Sequence, residues 1–115
     1  MKYRYLGSSG LLMSRITLGT MTFGAPEWGC DEKESHDITK NYIEAGGNSL
    51  DIADIYAGAR SEEIVGNLMP ELNRDGLIIA SKFSLPSGPA ITQFGANRKQ
   101  IISSCEKSLK RLKTD

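Results

Sequence analysis

Features typical of nucleic-acid-binding, membrane and secreted proteins are missing from this sequence. The 14 basic and 14 acidic side chains give a formal net charge of zero, whereas nucleic acids and anionic membranes select surfaces with a basic excess. No apolar run approaches the length that spans a bilayer, and the first residues, MKYRYLGSSG, contain no signal-peptide apolar core. We therefore expect a cytoplasmic protein that binds neither nucleic acid nor membranes.

Cysteine is also scarce. Cys30 and Cys105 are the only two in 115 residues, and their separation matches neither a CxxC motif nor a metal-ligand pair. We interpret both as reduced thiols, as in most cytosolic proteins. The charged fraction of 24% and the hydrophobic fraction of 39% are ordinary for a globular protein, and the length allows one domain at most.

Turn signals and apolar periodicity divide the chain into a hairpin and three strand–helix units. Apolar stretches on both sides of GSSG predict an N-terminal hairpin over residues 3–13. Short apolar runs predict buried strands near residues 15–18, 48–53 and 77–82. Amphipathic patterns predict helices over residues 31–47, 60–72 and 98–115. Strands that alternate with helices are typical of a parallel sheet covered by helices.

Residue types within the predicted helices add detail. Asp31 is predicted to cap the first helix and Ser61 the second. Glu62 and Glu63 are interpreted as charges that favour the positive end of the helix dipole. His36, the only histidine, is interpreted as solvated. The predicted apolar faces are Ile38, Tyr42 and Ile43 on the first helix and Ile101, Cys105, Leu109 and Leu112 on the third.

Chemically unusual residues occur where the predicted strands end. In LDIADIY, Asp51 and Asp54 interrupt an apolar strand and Tyr56 follows, while Lys82 ends the third strand. Buried strands rarely contain ionisable groups unless these are paired or used. The carboxyl ends of parallel strands lie at one edge of a sheet, where function collects. We therefore expect Asp51, Tyr56 and Lys82 to meet at this edge.

A phenol beside an amine and a carboxylate has the chemistry of a proton donor. A free tyrosine has a pKa of about 10 and is a poor donor at neutral pH. A neighbouring ammonium favours the phenolate, and a carboxylate keeps the amine charged and oriented. Such a tyrosine can protonate a carbonyl oxygen as charge develops there, but the hydride would have to come from a nicotinamide cofactor. On spacing alone, a strand-end cap at Asp51, a packed Tyr56 and a solvated Lys82 remain equally open.

Four segments of the chain in combination resemble the aldo-keto reductase family. They are YRYLGSSGLLMSRITLGTMTFG, GGNSLDIADIYAGARSEEIVG, IIASKF and SLKRLKTD, and together they extend over essentially all 115 residues. The second resembles the family signature Asp-Thr-Ala-Asp-x-Tyr-Gly…Ser-Glu…Gly. Ile52 replaces the threonine of this signature and Ala57 the glycine after the tyrosine.

The resemblance implies an NADPH-dependent oxidoreductase that reduces aldehydes or ketones to alcohols. Asp51, Tyr56 and Lys82 match three of the family's four catalytic positions. Tyr56 would be the acid–base residue, Lys82 would tune it, and Asp51 would pair with Lys82. The positions that match the nicotinamide end of the cofactor site are Gly19, Thr20, Met21 and Asp51. The implied ligands are NADPH and a small-molecule carbonyl substrate, and the lack of a GxGxxG motif agrees with a cofactor bound by a barrel.

The implied fold is α/β, a TIM (β/α)8 barrel of which this chain contains the N-terminal hairpin and the first three βα units. Such a barrel takes about 250 residues, so residues 1–115 are interpreted as the N-terminal part of one barrel domain. The family's fourth catalytic group, a histidine after the fourth strand, would lie beyond Asp115.

Two interpretations of this length stay open. The chain is either the N-terminal portion of a carbonyl reductase, or a truncated, non-catalytic family member that serves as a regulatory or assembly module. The second interpretation is kept because the family also resembles channel-associated regulatory subunits. In both cases the open edges of a three-stranded sheet predict self-association.

Overall fold

Two small sheets form the framework in the computed structural model, which describes residues 1–86 and 88–115. The strands β1 (Tyr3–Tyr5) and β2 (Leu12–Ser14) pair antiparallel. The second sheet is parallel, and its order is β3 (Leu18–Gly19), β4 (Ser49–Asp51) and β5 (Ile78–Ala80). The predicted hairpin and the predicted parallel order are confirmed. The parallel strands are shorter than predicted, and Ile16, expected in a buried strand, is 64% exposed.

Three α-helices are present in the described residues, and each follows a strand of the parallel sheet. They are α1 (Glu32–Glu44), α2 (Arg60–Leu68) and α3 (Arg98–Leu112). The predicted Asp31 cap is confirmed, since Glu34 N donates to Asp31 Oδ1 at 2.8 Å. The segment between β5 and α3 includes residue 87, which lies outside the described residues. No helix in the rest of the chain is long and apolar enough to cross a membrane.

The hydrophobic core lies between the parallel sheet and its helices. Its buried members are Phe23, Leu50, Ile52, Ile64, Val65, Met69 and Leu112. The helices α2 and α3 approach so closely at Gly66 that a Cβ there would overlap the carbonyl oxygen of Arg111. Only a glycine permits this contact, because the obstructing atoms belong to the backbone of the facing helix.

The hairpin lies at the amino end of β4. Asn48 precedes this strand, accepts from Ser14 N at 2.7 Å and donates to Leu12 O at 3.1 Å. The hydroxyl of Ser49 lies 3.1 Å from that of Ser14 and 2.9 Å from that of Thr17. The polar entry to β4 is therefore the attachment point of the hairpin.

The buried face of α1 agrees with the predicted one only in part. Tyr42 packs against the core as predicted, whereas Ile38 is 36% exposed, and the buried residues are Ser35 and Thr39. His36 is half-buried rather than solvated, and its Nε2 lies 2.9 Å from the carbonyl oxygen of Ile64 in α2. The inner face of this helix thus combines one aromatic ring with small hydroxyl side chains and a hydrogen-bonded imidazole. Cys30 and Cys105 are free thiols, as expected.

The apolar stripe predicted on α3 is mostly uncovered. The residues of α3 that are buried are Gln100, Ser104, Ser108 and Leu112. Ile101, Cys105 and Leu109 instead line an open groove beside β5, together with Ile79 and Phe83. The buried face of α3 thus carries mainly small polar side chains, and larger apolar ones lie beside β5.

Ser61 was predicted to cap α2, and this prediction is wrong. The first helical residue is Arg60, and the N-cap is Ala59 in the left-handed conformation. The hydroxyl of Ser61 instead donates to Thr20 O at 2.9 Å and lies 2.8 Å from Thr20 Oγ1. The first turn of α2 is thereby bonded to the residue that follows β3.

The 3₁₀ turn Tyr56–Ala59 joins β4 to α2 through consecutive left-handed residues. The φ angles of Ala57, Gly58 and Ala59 are 50°, 65° and 76°. A side chain makes this conformation costly, and only glycine adopts it readily.

We predict that Gly66→Ala lowers the free energy of unfolding by about 1–3 kcal/mol, because an inserted methyl group must push α2 and α3 apart. Chemical denaturation followed by circular dichroism measures this change. Gly19→Ala is the matched control, since no heavy atom lies within 4 Å of a Cβ built there. Equal stability of the two variants would contradict the close helix contact.

Ala57→Gly should raise the free energy of unfolding by about 1 kcal/mol, since it relieves left-handed strain that outweighs the added freedom of the unfolded chain. The same substitution at Ala80, inside β5, should act in the opposite direction by about 0.5–1 kcal/mol. Thermal and denaturant melts of both variants provide the comparison. Destabilisation by Ala57→Gly would show that the turn is not strained at this position.

A chain of these 115 residues should self-associate, because within the described residues β3 and β5 each pair only with β4 and an apolar groove borders β5. Size-exclusion chromatography with light scattering should show a mass that rises with concentration. Ile101→Lys should reduce this rise, whereas Ile102→Lys, next to it but outside the groove lining, should not. A sharp monomer peak at all concentrations would contradict the prediction.

Candidate functional site

The ammonium of Lys82 brings together the groups predicted at the strand ends. Lys82 Nζ lies 2.9 Å from Asp51 Oδ1, 3.0 Å from the Tyr56 hydroxyl oxygen and 2.7 Å from the carbonyl oxygen of Ile52. An ammonium has three donors and no acceptor. Each proton of Lys82 thus has its own acceptor, and the direction of the side chain is fixed. The ammonium also lies 4.6 Å from the centroid of the Tyr56 ring.

Backbone hydrogen bonds that continue past the ends of β4 and β5 set this geometry. Ile52 N donates to Ala80 O at 2.8 Å, and Asp54 N donates to Lys82 O at 3.0 Å. These bonds fix the position of the Lys82 backbone beside the end of β4. The turn that begins at Tyr56 then directs the phenol back over the same edge of the sheet.

The local charges keep Lys82 protonated. Partial burial disfavours its charged form, but the hydrogen bonds with Tyr56 and Asp51 outweigh this effect, so the pKa of Lys82 is raised above its ordinary value. The side chains of Lys82 and Asp51 remain 47% and 41% exposed. Lys82 is thus charged at neutral pH, and the pair is still open to a small molecule.

The hydroxyl of Tyr56 is free to donate its own proton. Lys82 is a pure donor, so the phenol oxygen accepts from it. In residues 1–86 and 88–115, the hydrogen bond from Lys82 is the only one that the Tyr56 hydroxyl makes. Tyr56 and Lys82 line a shallow, mainly apolar cavity with Ile55, Phe83 and Leu85. A carbonyl compound can approach the phenol from this cavity.

The residues predicted to bind the cofactor fall into two groups. Gly19 is exposed, lies opposite Asp51 in the register of β3 and β4, and has no heavy atom within 4 Å of a Cβ built on it. Met21 is 51% exposed. Thr20 is fully buried, and its hydroxyl donates to Asp51 O at 3.2 Å. Gly19, Met21 and Asp51 therefore offer surface to a ligand, while Thr20 holds the β3–β4 edge together.

The carboxylate of Asp54, the second in LDIADIY, is not bonded to the other three groups. Asp54 is half-buried and lines the cavity beside Tyr56 and Lys82 as well as a second cavity with Lys107 and Arg111. Burial raises the pKa of Asp54, and the nearby negative charge of Glu62 adds to the effect.

A buried ion pair lies next to the site and was missed by the sequence reasoning. Glu62 is 0% exposed, its Oε1 accepts from the Ser81 hydroxyl at 2.6 Å, and its Oε2 accepts from Arg111 Nε at 2.6 Å. Glu63, in contrast, is exposed and pairs with Arg60 at 3.0 Å. Glu62 lies three residues before Val65 and shares its helix face. That spacing is the sequence signal that separates Glu62 from its neighbour.

Comparison with known proteins gives a consistent result. The model of the Aldo/keto reductase family matches residues 15–115. The aldo-keto reductase YhdN of Bacillus subtilis (strain 168) is 38% identical over 117 residues, which cover 100% of this chain and 35% of that protein. A probable voltage-gated potassium channel subunit beta of Arabidopsis thaliana is 37% identical over 118 residues, with the same coverage of 100% and 35%.

The fold agrees with these sequence matches. A crystal structure of the thermostable aldo-keto reductase Tm1743 superposes with a TM-score of 0.81 at 30% identity and covers 100% of this chain and 40% of that one. The chain thus spans 35% of the length of the two relatives above, which agrees with a part of a TIM barrel. The match of the family model over residues 15–115 shows that the chain belongs to the aldo-keto reductase family.

Proposed function

We propose that this chain supplies the proton-donating part of an NADPH-dependent reductase that converts aldehydes or ketones to alcohols. The observation that supports this most directly is the position of Lys82 Nζ, 2.9 Å from Asp51 Oδ1 and 3.0 Å from the Tyr56 hydroxyl. Membership of the aldo-keto reductase family supports the coarser assignment as an oxidoreductase. The roles of the three residues, the cofactor and the substrate class belong to the proposal.

Each of the three side chains has a separate task in this proposal. Tyr56 donates its phenolic proton to the carbonyl oxygen of the substrate as negative charge develops there. Lys82 donates a hydrogen bond to the phenol oxygen and so stabilises the phenolate that remains. Asp51 keeps Lys82 charged and oriented. A bound NADPH would supply the hydride that reduces the carbonyl carbon.

The exposed residues at the end of β3 fit the nicotinamide end of such a cofactor. Gly19 has open space above it, and Met21 is half-exposed. Both are close in sequence to Thr20, whose hydroxyl is bonded to the backbone of Asp51. A flat ring held against Gly19 and Met21 would lie beside the Asp51 carboxylate. The remaining cofactor contacts would come from barrel segments outside these 115 residues.

A second candidate is a regulatory module without turnover of its own. The specific observation in its favour is the 37% identity to the probable voltage-gated potassium channel subunit beta. The chain is similar to that protein and to a reductase at nearly the same level. Sequence identity alone therefore does not distinguish the two candidate functions. Turnover separates the two candidates.

We predict that a chimera with residues 1–115 in place of the matching segment of Bacillus subtilis YhdN reduces simple aldehydes with NADPH. In it, Tyr56→Phe should lower kcat by about 10²–10⁴-fold, the contribution of a positioned general acid, with little change in KM. Lys82→Met should also lower kcat, because the phenolate loses its charged partner. Absorbance of NADPH measures both rates.

Tyr5→Phe is the matched control, since Tyr5 is 61% exposed in the hairpin. The isolated 115-residue chain should show little turnover, because a poorly held cofactor removes the gain from positioning. A chimera that binds NADPH without consuming it, or that keeps full kcat after Tyr56→Phe, would overturn the reductase proposal and favour the regulatory module.

A further inference from the structure

We propose that the hydrogen bond from Ser81 to Glu62 positions Lys82, so that Glu62 and Ser81 are positioning residues of the site formed by Asp51, Tyr56 and Lys82. The inference rests on the proposed function, since it gives Lys82 its task. It concerns how the ammonium is held, and not the chemistry that follows.

Ser81 and Lys82 are consecutive residues whose side chains bind different partners. They continue the extended run of β5, because Asp54 N donates to Lys82 O at 3.0 Å. In an extended chain, successive side chains point to opposite faces. The Ser81 hydroxyl reaches Glu62 Oε1 in α2 at 2.6 Å, and the Lys82 ammonium reaches Tyr56 and Asp51. A contact that fixes one of these side chains therefore also fixes the orientation of the other.

The end of β5 has little other support. Within the residues that the structure describes, β5 has a single neighbour, β4. Hydrogen bonds to one strand leave the segment free to twist about that edge. The bond from Ser81 to α2 attaches the segment at a second point, on the face opposite to Lys82. Rotation of the peptide between Ser81 and Lys82 would break it.

Glu62 is itself held rigidly enough to act as an anchor. Its side chain is fully buried, and its two oxygens bind different partners, Ser81 and Arg111. A buried carboxylate needs such pairing, and the pair gives little net stability compared with apolar packing. Its value is geometric, because hydrogen bonds to two different partners, one on each oxygen, define one orientation of the carboxylate.

Ser61, the residue before Glu62, extends this attachment to β3, on the other side of β4. Ser61 is bonded to Thr20, directly after β3. Glu62 is bonded to Ser81, directly after β5. The first turn of α2 thus ties together the ends of the two strands that flank β4, and Asp51 ends β4 between them.

The test measures how firmly Lys82 is held in the 115-residue chain. Trace acetylation with an N-hydroxysuccinimide ester, followed by peptide mass spectrometry, gives the reaction rate of each lysine. Lys82 should react more slowly than the exposed Lys2 and Lys99, which serve as internal references. Ser81→Ala should raise the relative rate at Lys82 about fivefold, the factor that corresponds to one ordinary hydrogen bond.

Two further variants separate positioning from general stability. Ser81→Thr retains the hydroxyl and should keep Lys82 protected, since residue 81 is exposed and has room for a methyl group. Ser35→Ala makes the same chemical change at a buried serine of α1, whose hydroxyl donates to Asp31 O at 2.6 Å. It should lower the melting temperature and leave the relative rate at Lys82 unchanged.

If Lys82 is equally protected in the parent, in Ser81→Ala and in Ser35→Ala, the positioning proposal is overturned. The proposed function then stays intact. A parent chain in which Lys82 reacts as fast as Lys2 and Lys99 would instead show that the ammonium is not held between Asp51 and Tyr56. That result would contradict both proposals. If the relative acetylation rate of Lys82 rises in Ser81→Ala but not in Ser81→Thr, the result supports the inference.

Discussion

The three hydrogen bonds of the Lys82 ammonium are the interaction on which the arrangement of the strand ends depends. They join the carbonyl of Ile52, the carboxylate of Asp51 and the phenol of Tyr56 through one side chain. All three acceptors belong to β4 or follow it directly, and Lys82 follows β5. The contact therefore requires β4 and β5 to be parallel and in the observed register, with Asp51 opposite Ala80. A shift of one residue would direct the ammonium to the opposite face of the sheet.

Buried polar contacts, in addition to apolar packing, connect α2 to this edge. Ser61 and Glu62 in the first turn of α2 bind the residues after β3 and β5. Every buried side-chain nitrogen and oxygen in the described residues has a hydrogen-bond partner, as buried polar groups require. These contacts are directional, so they fix orientations in a way that the apolar core does not. Because the buried face of α3 is mainly polar, its apolar stripe lies in the open groove beside β5.

The two parts of the proposed site differ in how much of the chain they require. The side chains proposed to donate and tune the proton come from neighbouring strands, so 115 residues are enough to assemble them. Among the residues predicted to bind a cofactor, Gly19, Met21 and Asp51 offer surface to a ligand, and the chain spans 35% of the first two relatives. In the proposed reaction, proton donation depends on local strand order, whereas a firm hold on a dinucleotide needs more of a barrel.

The sequence by itself determined the features whose causes lie within a few residues. Local patterns predict the alternation of strands and helices, the Asp31 cap and the positions of Asp51, Tyr56 and Lys82 at strand ends. Parallel strand order then brings these three residues together. Only the tertiary structure decided which faces of α1 and α3 are buried and that Ser61 binds Thr20 instead of capping α2. It also decided that Glu62 is buried while Glu63 is exposed. The reason is that these outcomes depend on partners distant in sequence: Arg111, which neutralises Glu62, is 49 residues away, and the contact at Gly66 forms only when α2 and α3 have packed.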